Sequence, residues 1–367
     1  MLSKADDYPI HQTPDPIAFS GTDRNFYDRY FFNGYTPDGN VFFAASLGVY
    51  PHLNIMDAGF AVRIGDRQYN LHASRHLHME RMDTHVGPIR VEVVEPLQVL
   101  RVVVDDNEHG ISADITIAGR HAPIEEPRST RRIGPRIVQD VTRMTQLGHW
   151  SGWIKAGGQT VTLEAPTTLG TRDRSWGVRH IGIRDPQVPV VIREFQAWWV
   201  WLPAHLEDRI VHFFVNQDGD GKVWNLGATM VHDEGSRIEH LHGARMDMEY
   251  VPGTRYPANA VVTATDEAGG NYRFEITPHA RFYLSGIGYM NPEWSHGLNK
   301  GLLTVGYDEI TSNAGARHGP GTEHAQATSS VALTLPDGLV LRGHGCFESL
   351  VLGRHVPSGL TSMYDVP

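Results

Sequence analysis

The stretch that decides the fold runs from residue 89 to residue 117 and reads IRVEVVEPLQVLRVVVDDNEHGISADITI. Its first part, Ile89–Val93, and its last part, Ile111–Ile117, alternate apolar and polar residues, which is the pattern of a half-buried β-strand. Between them, Leu97–Val104 is a β-rich run that ends in the turn residues Asp105-Asp106-Asn107. Three short strands and their turns therefore follow one another within this one stretch.

The same pattern continues in both directions along the chain. Val41–Tyr50 is a β-rich run that ends at Pro51, and Arg209–Val215 is another. Val331–Leu341 contains the turn Pro336-Asp337-Gly338 and predicts a hairpin. The sequence contains no long apolar stripe of helical period with a cap and a stop. Many short strands separated by turns predict an all-β sandwich or barrel.

The length of the chain indicates two domains. It has 367 residues, of which 40% are hydrophobic, and this is enough for two packed cores. Residues 1–35 look irregular and aromatic, so we expect an arm that docks onto the body of the protein. We expect an N-terminal domain at 36–185 and a C-terminal domain at 186–367, with the junction at the loop Asp185–Pro189.

Charge and cysteine content restrict the partners and the compartment. The formal net charge of −10 argues against a nucleic acid or an anionic membrane as the main partner. Cys346 is the single cysteine of the sequence, which excludes an internal disulfide and fits a reducing compartment. No signal-peptide core and no apolar run of about 20 residues is present. We expect a cytoplasmic protein without a membrane span, and a homodimer remains open.

Motifs for nucleotide cofactors and common nucleophiles are absent from the sequence, which has no Gly-x-Gly-x-x-Gly, Walker or Gly-x-Ser-x-Gly pattern. Two His-Leu-His pairs, His76/His78 and His240/His242, place two rings on one side of a strand. A metal would need further ligands that no spacing identifies. We therefore expect neither a cofactor nor a metal.

Two neighbouring segments combine charged and aromatic residues, Gln146–Ile154 and Gly170–Arg179. Alternate residues of a strand share a face. The sets that share a face are Arg172, Arg174 and Trp176; Thr171, Asp173 and Ser175; and His149, Ser151 and Trp153. If one face lines the interior of a barrel, either set offers a polar group beside an aromatic wall, as in a small-molecule pocket.

The run Asp173-Arg174-Ser175-Trp176-Gly177 resembles the signature of bacterial proteins related to carotenoid 1,2-hydratase. That wider group also contains tocopherol cyclase-like and lipocalin-like Diels–Alderase proteins. The segment Glu125–Arg128 and the run Gln146–Trp153 are similar to the same group, and the likeness covers residues 100 to 180 best. The resemblance implies two tandem lipocalin-like (calycin) antiparallel barrels. It also implies cofactor-free addition, elimination or cyclisation on a hydrophobic substrate.

The candidate catalytic residues come from these segments. Asp173 is flanked by Arg172 and Arg174, whose charges favour its ionised form, so it suits a general base or an orienting carboxylate. Arg172 and Arg174 would stabilise developing negative charge or hold a carboxylate. His149 is a candidate proton shuttle. The alternative is that the arginines form a buried structural ion-pair network, and that His149 is a core or rim residue.

A third cluster of aromatic residues begins at Glu194, a candidate pocket acid. By alternation, Trp199 and Trp201 share a face and Trp198 lies opposite. They form either core packing or a wall for an aromatic or isoprenoid ligand. The remaining candidate substrate-binding residues are Trp153, Trp176, Tyr289 and Trp294, of which the last two belong to a loop that could cap a pocket.

The leading hypothesis is a cofactor-independent lyase of the hydratase or dehydratase type, or a related cyclase or isomerase. It would act on a small hydrophobic molecule by acid–base catalysis. The first alternative is a non-catalytic lipocalin-like carrier of an apolar ligand. The second is a metal-dependent oxygenase.

Overall fold

In the computed structural model, the described residues are 2–10, 23–78, 80–183, 195–234, 237–311 and 319–367. The described part of the chain is almost entirely β-strand, with short 3₁₀ turns at Lys4–Asp7, Pro51–Leu53, Leu284–Ile287 and Val356–Ser358, and it contains no α-helix. Among these residues there is accordingly no helix that could cross a bilayer.

The described residues form twenty-three strands. In chain order they are β1 (Phe26–Tyr35), β2 (Val41–Tyr50), β3 (Ile55–Ile64), β4 (Arg67–His76), β5 (His85–Val86), β6 (Ile89–Glu95), β7 (Val99–Val104), β8 (Ser112–Gly119), β9 (Ile124–Glu125), β10 (Ser129–Ile133), β11 (Arg136–Ala156), β12 (Gln159–Leu163), β13 (Leu169–Val178), β14 (Ala197–Leu206), β15 (Arg209–Gln217), β16 (Val223–His232), β17 (Ile238–His240), β18 (His242–Tyr250), β19 (Pro257–Thr265), β20 (Asn271–Tyr283), β21 (Leu303–Thr311), β22 (His324–Thr334) and β23 (Val340–Leu352).

The first sheet has the strand order β21-β4-β3-β2-β1-β13-β11-β8-β7-β6-β5, and its short strands β9, β10 and β12 also pair with β11. All of its pairs are antiparallel. Because β5 and β6 return to contact β3 and β4, the sheet curls into a nearly closed barrel.

The second sheet is also antiparallel, with the order β17-β16-β15-β14-β23-β22-β20-β19-β18. It likewise curls until β18 contacts β16. The expectation of an all-β chain with two lipocalin-like antiparallel barrels is confirmed. The hairpin that Pro336-Asp337-Gly338 predicts is formed by β22 and β23.

Alternating apolar side chains fill the interior of each barrel. In β3, for example, Met56, Ala58, Phe60 and Val62 all belong to the first core. In β14, Trp198, Val200, Leu202 and Ala204 belong to the second. Strand β2 is buried at every position, so both of its faces are covered. Part of the outer face of the first sheet is therefore buried as well.

The contacts divide the chain differently from the expected domains. The first unit comprises the described residues within 1–36, 41–191 and 285–311, and the second those within 37–40, 192–284 and 312–367. Residues 285–311, which we expected in the C-terminal domain, join the first unit because β21 pairs along the whole length of β4. Residues 26–35, which we expected in an arm, form β1 inside the first sheet.

Candidate functional site

Arg172 and Arg174 project from β13 into the interior of the first barrel. The Arg172 guanidinium forms an ion pair with the buried carboxylate of Asp7, and its Nε donates to Oε1 of Gln146 at 2.7 Å. Arg174 donates to Oδ1 of Asp28 at 2.5 Å. Both arginines are almost completely buried. These contacts correspond to the structural ion-pair network that the sequence left open as the alternative.

The opposite face of the first sheet carries a second set of polar residues, which we call the polar face. The strand register aligns them in two neighbouring rows across β11, β13, β1, β2, β3 and β4. The first row contains Arg143, Ser175, Arg29, Gly48, Asp57 and Ser74. The second row contains Thr145, Asp173, Phe31, Ser46, Gly59 and His72. Residues distant in sequence thus become side-by-side neighbours.

Residues 285–302, which we call the cover segment, lie over this face. The segment is ordered by Asn291, whose Oδ1 accepts from the backbone N–H groups of Glu293 and Trp294 at 2.9 Å each. Ser46 donates to the carbonyl of Ile287 at 3.1 Å, and this bond fixes the segment to β2. Gly59 leaves room for the close approach, because a Cβ there would lie 2.8 Å from the Cα of Ile287.

Asp57 is the carboxylate between the cover segment and the sheet. Its Oδ2 accepts from the backbone N–H of Gly297 at 2.6 Å, and its Oδ1 accepts from the Tyr50 hydroxyl at 3.0 Å. Burial raises the pKa of Asp57 to about 6, although these hydrogen bonds and the charges of Arg29 and Arg179 oppose the rise. Asp57 can therefore bind or release a proton near neutral pH.

His72 lies on the same face and is oriented by a carboxylate of β21. Its Nε2 is 2.8 Å from Oδ2 of Asp308, and the Asn70 amide donates to the other oxygen at 2.5 Å. Burial alone would raise the pKa of Asp308, but these two hydrogen bonds lower it overall. The His72 ring stacks on Trp294, with centroids 5.2 Å apart and planes 9° from parallel. A histidine fixed by a carboxylate in this way is a typical proton acceptor.

Asp57 and His72 line one cavity of about 10 Å³, enough for about one water molecule. Its wall also includes Ser46, Ser74, Trp294, His296 and Lys300. The Lys300 ammonium lies 4.8 Å from the centroid of the Trp294 ring. Because the cover segment supplies much of the wall, a larger ligand enters only if that segment moves.

Arg29 lies behind His296, which is part of the cavity wall. Nη1 of Arg29 is 3.4 Å from Nδ1 of His296, while Nε2 of His296 is 2.9 Å from the carbonyl of Ile287. Since arginine only donates, Nδ1 accepts and Nε2 carries the proton, which describes a neutral imidazole. The Arg29 guanidinium also lies 4.2 Å from the centroid of the Tyr289 ring. The predicted substrate-binding residues Tyr289 and Trp294 are thus both at this site.

Asp173 is the predicted catalytic residue that lies on the polar face. Its Oδ2 is 3.9 Å from Nε of Arg143, which also contacts Glu126 at 3.4 Å. Although burial disfavours the charged form of Arg143, the charges of Glu126 and Asp173 raise its pKa. Asp173 and the pair Arg172 and Arg174 therefore point to opposite sides of β13, as the alternation predicts.

A family model described as a family of unknown function, DUF8625, matches residues 2–361. The chain belongs to this family. No curated protein matches the sequence of the DUF8625 chain at a significant level.

Solved structures show the same fold at low sequence identity. A protein of Nitrosomonas europaea provisionally assigned as AttH superposes on the DUF8625 chain with a TM-score of 0.54 and 15% identity, covering 93% of this chain and 98% of its own. CghA, solved with Sch210972, gives a TM-score of 0.54 and 12% identity over 94% of this chain and 96% of its own. The resemblance inferred from the sequence is thereby confirmed for the lipocalin-like fold.

Kievitone hydratase from Nectria haematococca is a further structural match of the DUF8625 chain. It has a TM-score of 0.49 and 11% identity, and covers 88% of each chain. The superpositions on the Nitrosomonas europaea protein and on CghA establish the fold.

The remaining residues predicted in the first unit do not reach this site. His149 is four residues from Thr145, the partner of Asp173, so roughly 13 Å of β11 separates the two side chains. Trp153 is 40% exposed and pairs with β8 and β12. Trp176 shares the face of Arg172 and Arg174 and is half-buried. Glu194 lies outside the described residues.

The tryptophans predicted to bind substrate in the second unit lie on both faces of β14. Trp198 belongs to the core, whereas Trp201 is buried on the opposite face. On that face Trp199 donates to Oε1 of Glu348 at 2.7 Å, and Nε2 of His324 lies 2.9 Å from the same oxygen. Burial opposes the ionisation of Glu348, but His324 and the other hydrogen-bond donors lower its pKa overall.

The His-Leu-His pairs do not gather further metal ligands among the described residues. The rings of His76 and His78 lie 5.9 Å apart. Within the described parts of the DUF8625 chain, no group of three His, Cys, Asp or Glu side chains could hold a metal ion.

Sequence reasoning missed Arg29, Asp57, His72 and Arg143. Arg29 lies in the stretch expected to be an arm, the other three lie outside the runs that predicted strands, and no local motif surrounds any of them. Their proximity arises from the register between strands, which the sequence alone does not supply.

Proposed function

We propose that this protein is an enzyme that performs acid–base chemistry on a small molecule, of the hydratase, dehydratase or related cyclase type. The observation that carries the proposal is the pairing of Asp57, whose pKa is about 6, with the carboxylate-oriented His72 around one cavity. Two titratable groups held in different environments around one cavity are characteristic of an acid and a base. CghA, solved with Sch210972, supports a small-molecule role for this fold.

The proposed elimination proceeds through these two residues. His72 removes a proton from one substrate carbon, while Asp57 protonates the hydroxyl group on the neighbouring carbon, which leaves as water. The electron pair of the broken C–H bond forms the double bond between the two carbons. Hydration is the same sequence in reverse. Asp308 orients the imidazole of His72, and Arg29 stabilises negative charge that develops on the substrate. Asp173 acts as a positioning residue through Arg143.

The wider features of the proposal come from the sequence. A small, hydrophobic substrate, aromatic or isoprenoid, and a cytoplasmic location remain predictions. The catalytic roles of Arg172, Arg174 and His149 also remain predictions, although the interior ion pairs give the two arginines another task.

Deuterium exchange tests the proposal without knowledge of the natural substrate. The full chain is incubated in D₂O with hydroxylated and unsaturated aromatic and isoprenoid compounds, and mass spectrometry detects deuterium at carbon. We expect exchange that falls as the pH rises above about 6, because the active form carries a proton on Asp57. Asp57→Asn and His72→Gln should each reduce the rate by at least about 100-fold.

Matched controls are exposed residues of the same unit, Asp106→Asn and His52→Gln, which should exchange at the normal rate. Normal exchange in Asp57→Asn would contradict the assignment. Saturable binding of a compound without any exchange would favour the carrier alternative.

A further inference from the structure

The guanidinium of Arg29 is buried but incompletely satisfied. Its exposed fraction is 1%, and its Nε and Nη2 atoms have no hydrogen-bond partner. The hydrogen-bonding neighbour of this guanidinium is Nδ1 of His296, which lies 3.4 Å from Nη1. Burying charged donors without acceptors costs free energy, so such an edge marks a place where an acceptor is expected.

The unsatisfied atoms form the edge of a guanidinium that binds carboxylates with two parallel hydrogen bonds. This protein uses that same edge elsewhere. Nε and Nη2 of Arg101 donate to the two oxygens of Asp114 at 2.7 and 2.5 Å, and those of Arg128 donate to Asp140 at 2.7 and 2.6 Å. In Arg29 the equivalent edge is present, buried and empty of a carboxylate.

Two further buried donors lie in the same group. Nη2 of Arg179 and the hydroxyl of Tyr27 also lack a hydrogen-bond partner. The Arg179 guanidinium lies 4.4 Å from the centroid of the Tyr27 ring and 5.8 Å from that of Tyr289, the ring that Arg29 approaches to 4.2 Å. Two guanidinium groups around one ring repel each other, and an anion between them would relieve the repulsion.

The carboxylates nearby are already engaged. Asp57 accepts from Tyr50 and Gly297, and Asp173 and Glu126 face Arg143. None of the three forms a hydrogen bond with the free edge of Arg29. The Tyr289 ring stacks on the face of the Arg29 guanidinium, and stacking leaves the edge available.

We propose that this site binds an organic acid. The Nε–Nη2 edge of Arg29 holds the carboxylate of the substrate, and Arg179 and Tyr27 donate further hydrogen bonds to it. The inference rests on the proposed function, since it names the substrate class of the same site. It also has a consequence for the reaction. The carboxylate anchors the substrate beside Asp57, with the hydroxyl or double bond directed toward the cavity.

Ligand binding to the full chain tests the proposal. The probes are acetate and benzoate, each compared with its neutral amide, acetamide and benzamide, by isothermal calorimetry and thermal denaturation at constant ionic strength. We expect the carboxylates to bind saturably and to raise the Tm, and the amides to bind at least about ten-fold more weakly. Arg29→Gln should weaken benzoate binding by at least about ten-fold, as expected for the loss of a charge-assisted bidentate contact.

The control is Arg132→Gln, which removes an exposed arginine of the same unit and should leave benzoate binding unchanged. If Arg29→Gln fails to fold, benzoate binding is measured with Arg29→Lys and Tyr27→Phe instead. The first keeps the charge without the fork, the second removes only one hydroxyl, and each should weaken benzoate binding.

Equal binding of benzoate and benzamide, or unchanged benzoate binding in the Arg29 variants, would overturn the proposal. The readout is independent of turnover, so it separates the two proposals. Carboxylate binding without deuterium exchange would support the anion site and contradict the acid–base function. Deuterium exchange that occurs only on neutral compounds would support the acid–base function and contradict the anion site.

Discussion

The carboxyl group of Asp57 releases its proton less readily in the folded chain than in an unfolded one, because the fold withdraws it from water. Its folded pKa of about 6 lies above the reference value of 3.8. The folded state therefore holds a proton that the unfolded state has lost between these values. The free energy of unfolding should fall as the pH rises through this window, by at most about 3 kcal/mol from this group, since it keeps some exposure.

Asp57→Asn removes this dependence. The variant should match the native protein in stability at pH 4 and exceed it at pH 7.5. Like the protonated acid, the uncharged amide can accept from the N–H of Gly297 with its oxygen and donate to the Tyr50 oxygen with its NH₂ group. Urea denaturation at the two pH values measures the difference, with Asp106→Asn as the control. Equal pH dependence in both variants would show that Asp57 titrates normally.

The buried ion pair between Asp7 and Arg172 should contribute to the stability of the fold. Asp7→Asn leaves a buried guanidinium without its counter-charge, so it should lower the free energy of unfolding by about 3–5 kcal/mol. The double variant Asp7→Asn with Arg172→Met should lose less free energy of unfolding than the two single variants lose together. Urea denaturation of the four chains gives the coupling energy, and a value near zero would show that the pair is not coupled.

Trp150 gives a structural reason for Gly170, the first residue of the segment Gly170–Arg179. Its indole is fully buried, donates to the carbonyl of Asn33 at 2.8 Å and packs edge-on against Phe43. Gly170 makes the room, because a Cβ at that position would lie 2.1 Å from the indole nitrogen. The glycine at the start of β13 therefore serves the packing of Trp150.

At the scale of elements, the cover segment controls access to the cavity. Gly59→Ala would place a methyl group against the backbone of Ile287 without straining its own backbone. We expect the cover segment to lift, with faster amide hydrogen exchange over residues 285–302 and little change in the core strands. Gly319→Ala, which meets no atom within 4 Å, is the control. Unchanged exchange in the Gly59 variant would show that the segment accommodates the methyl group in place.

The alternation of polar and apolar residues predicts strands well and their orientation poorly in this protein. The two faces of β13 separate as predicted, with Asp173 opposite Arg172 and Arg174. Which face points inward is not readable, because β1 and β2 are buried on both sides and arginines occupy the interior. Asp57 and His72 were missed since the pattern of β3 and β4 carries no sign of the segment that covers them.

At the scale of the whole molecule, the sequence halves are not the folding units. The β-rich composition and the hairpin turns predict the fold class, but nothing local to residues 303–311 indicates pairing with β4, more than two hundred residues earlier. Long-range register of this kind depends on the complete sheet. The expected boundary near residue 185 therefore misses the return of the chain to the first unit.

A truncation experiment checks this organisation. A chain that ends at residue 185 lacks β21 and leaves the whole edge of β4 unpaired, so it should aggregate. The same chain joined to residues 285–311 through a flexible Gly/Ser linker should be soluble and folded. Size-exclusion chromatography and circular dichroism distinguish them. A soluble, cooperatively folded 1–185 chain would contradict the assignment of β21 to this unit.

The pairing of Asp308 with His72 also determines when the site can first exist. During synthesis on the ribosome, every residue up to position 308 must leave the exit tunnel before the imidazole meets its carboxylate. For most of translation the growing polypeptide carries β4 as an unprotected edge, which recruits other chains. We therefore expect newly made protein to depend on chaperone protection, and to lack activity, until β21 has emerged and paired with β4.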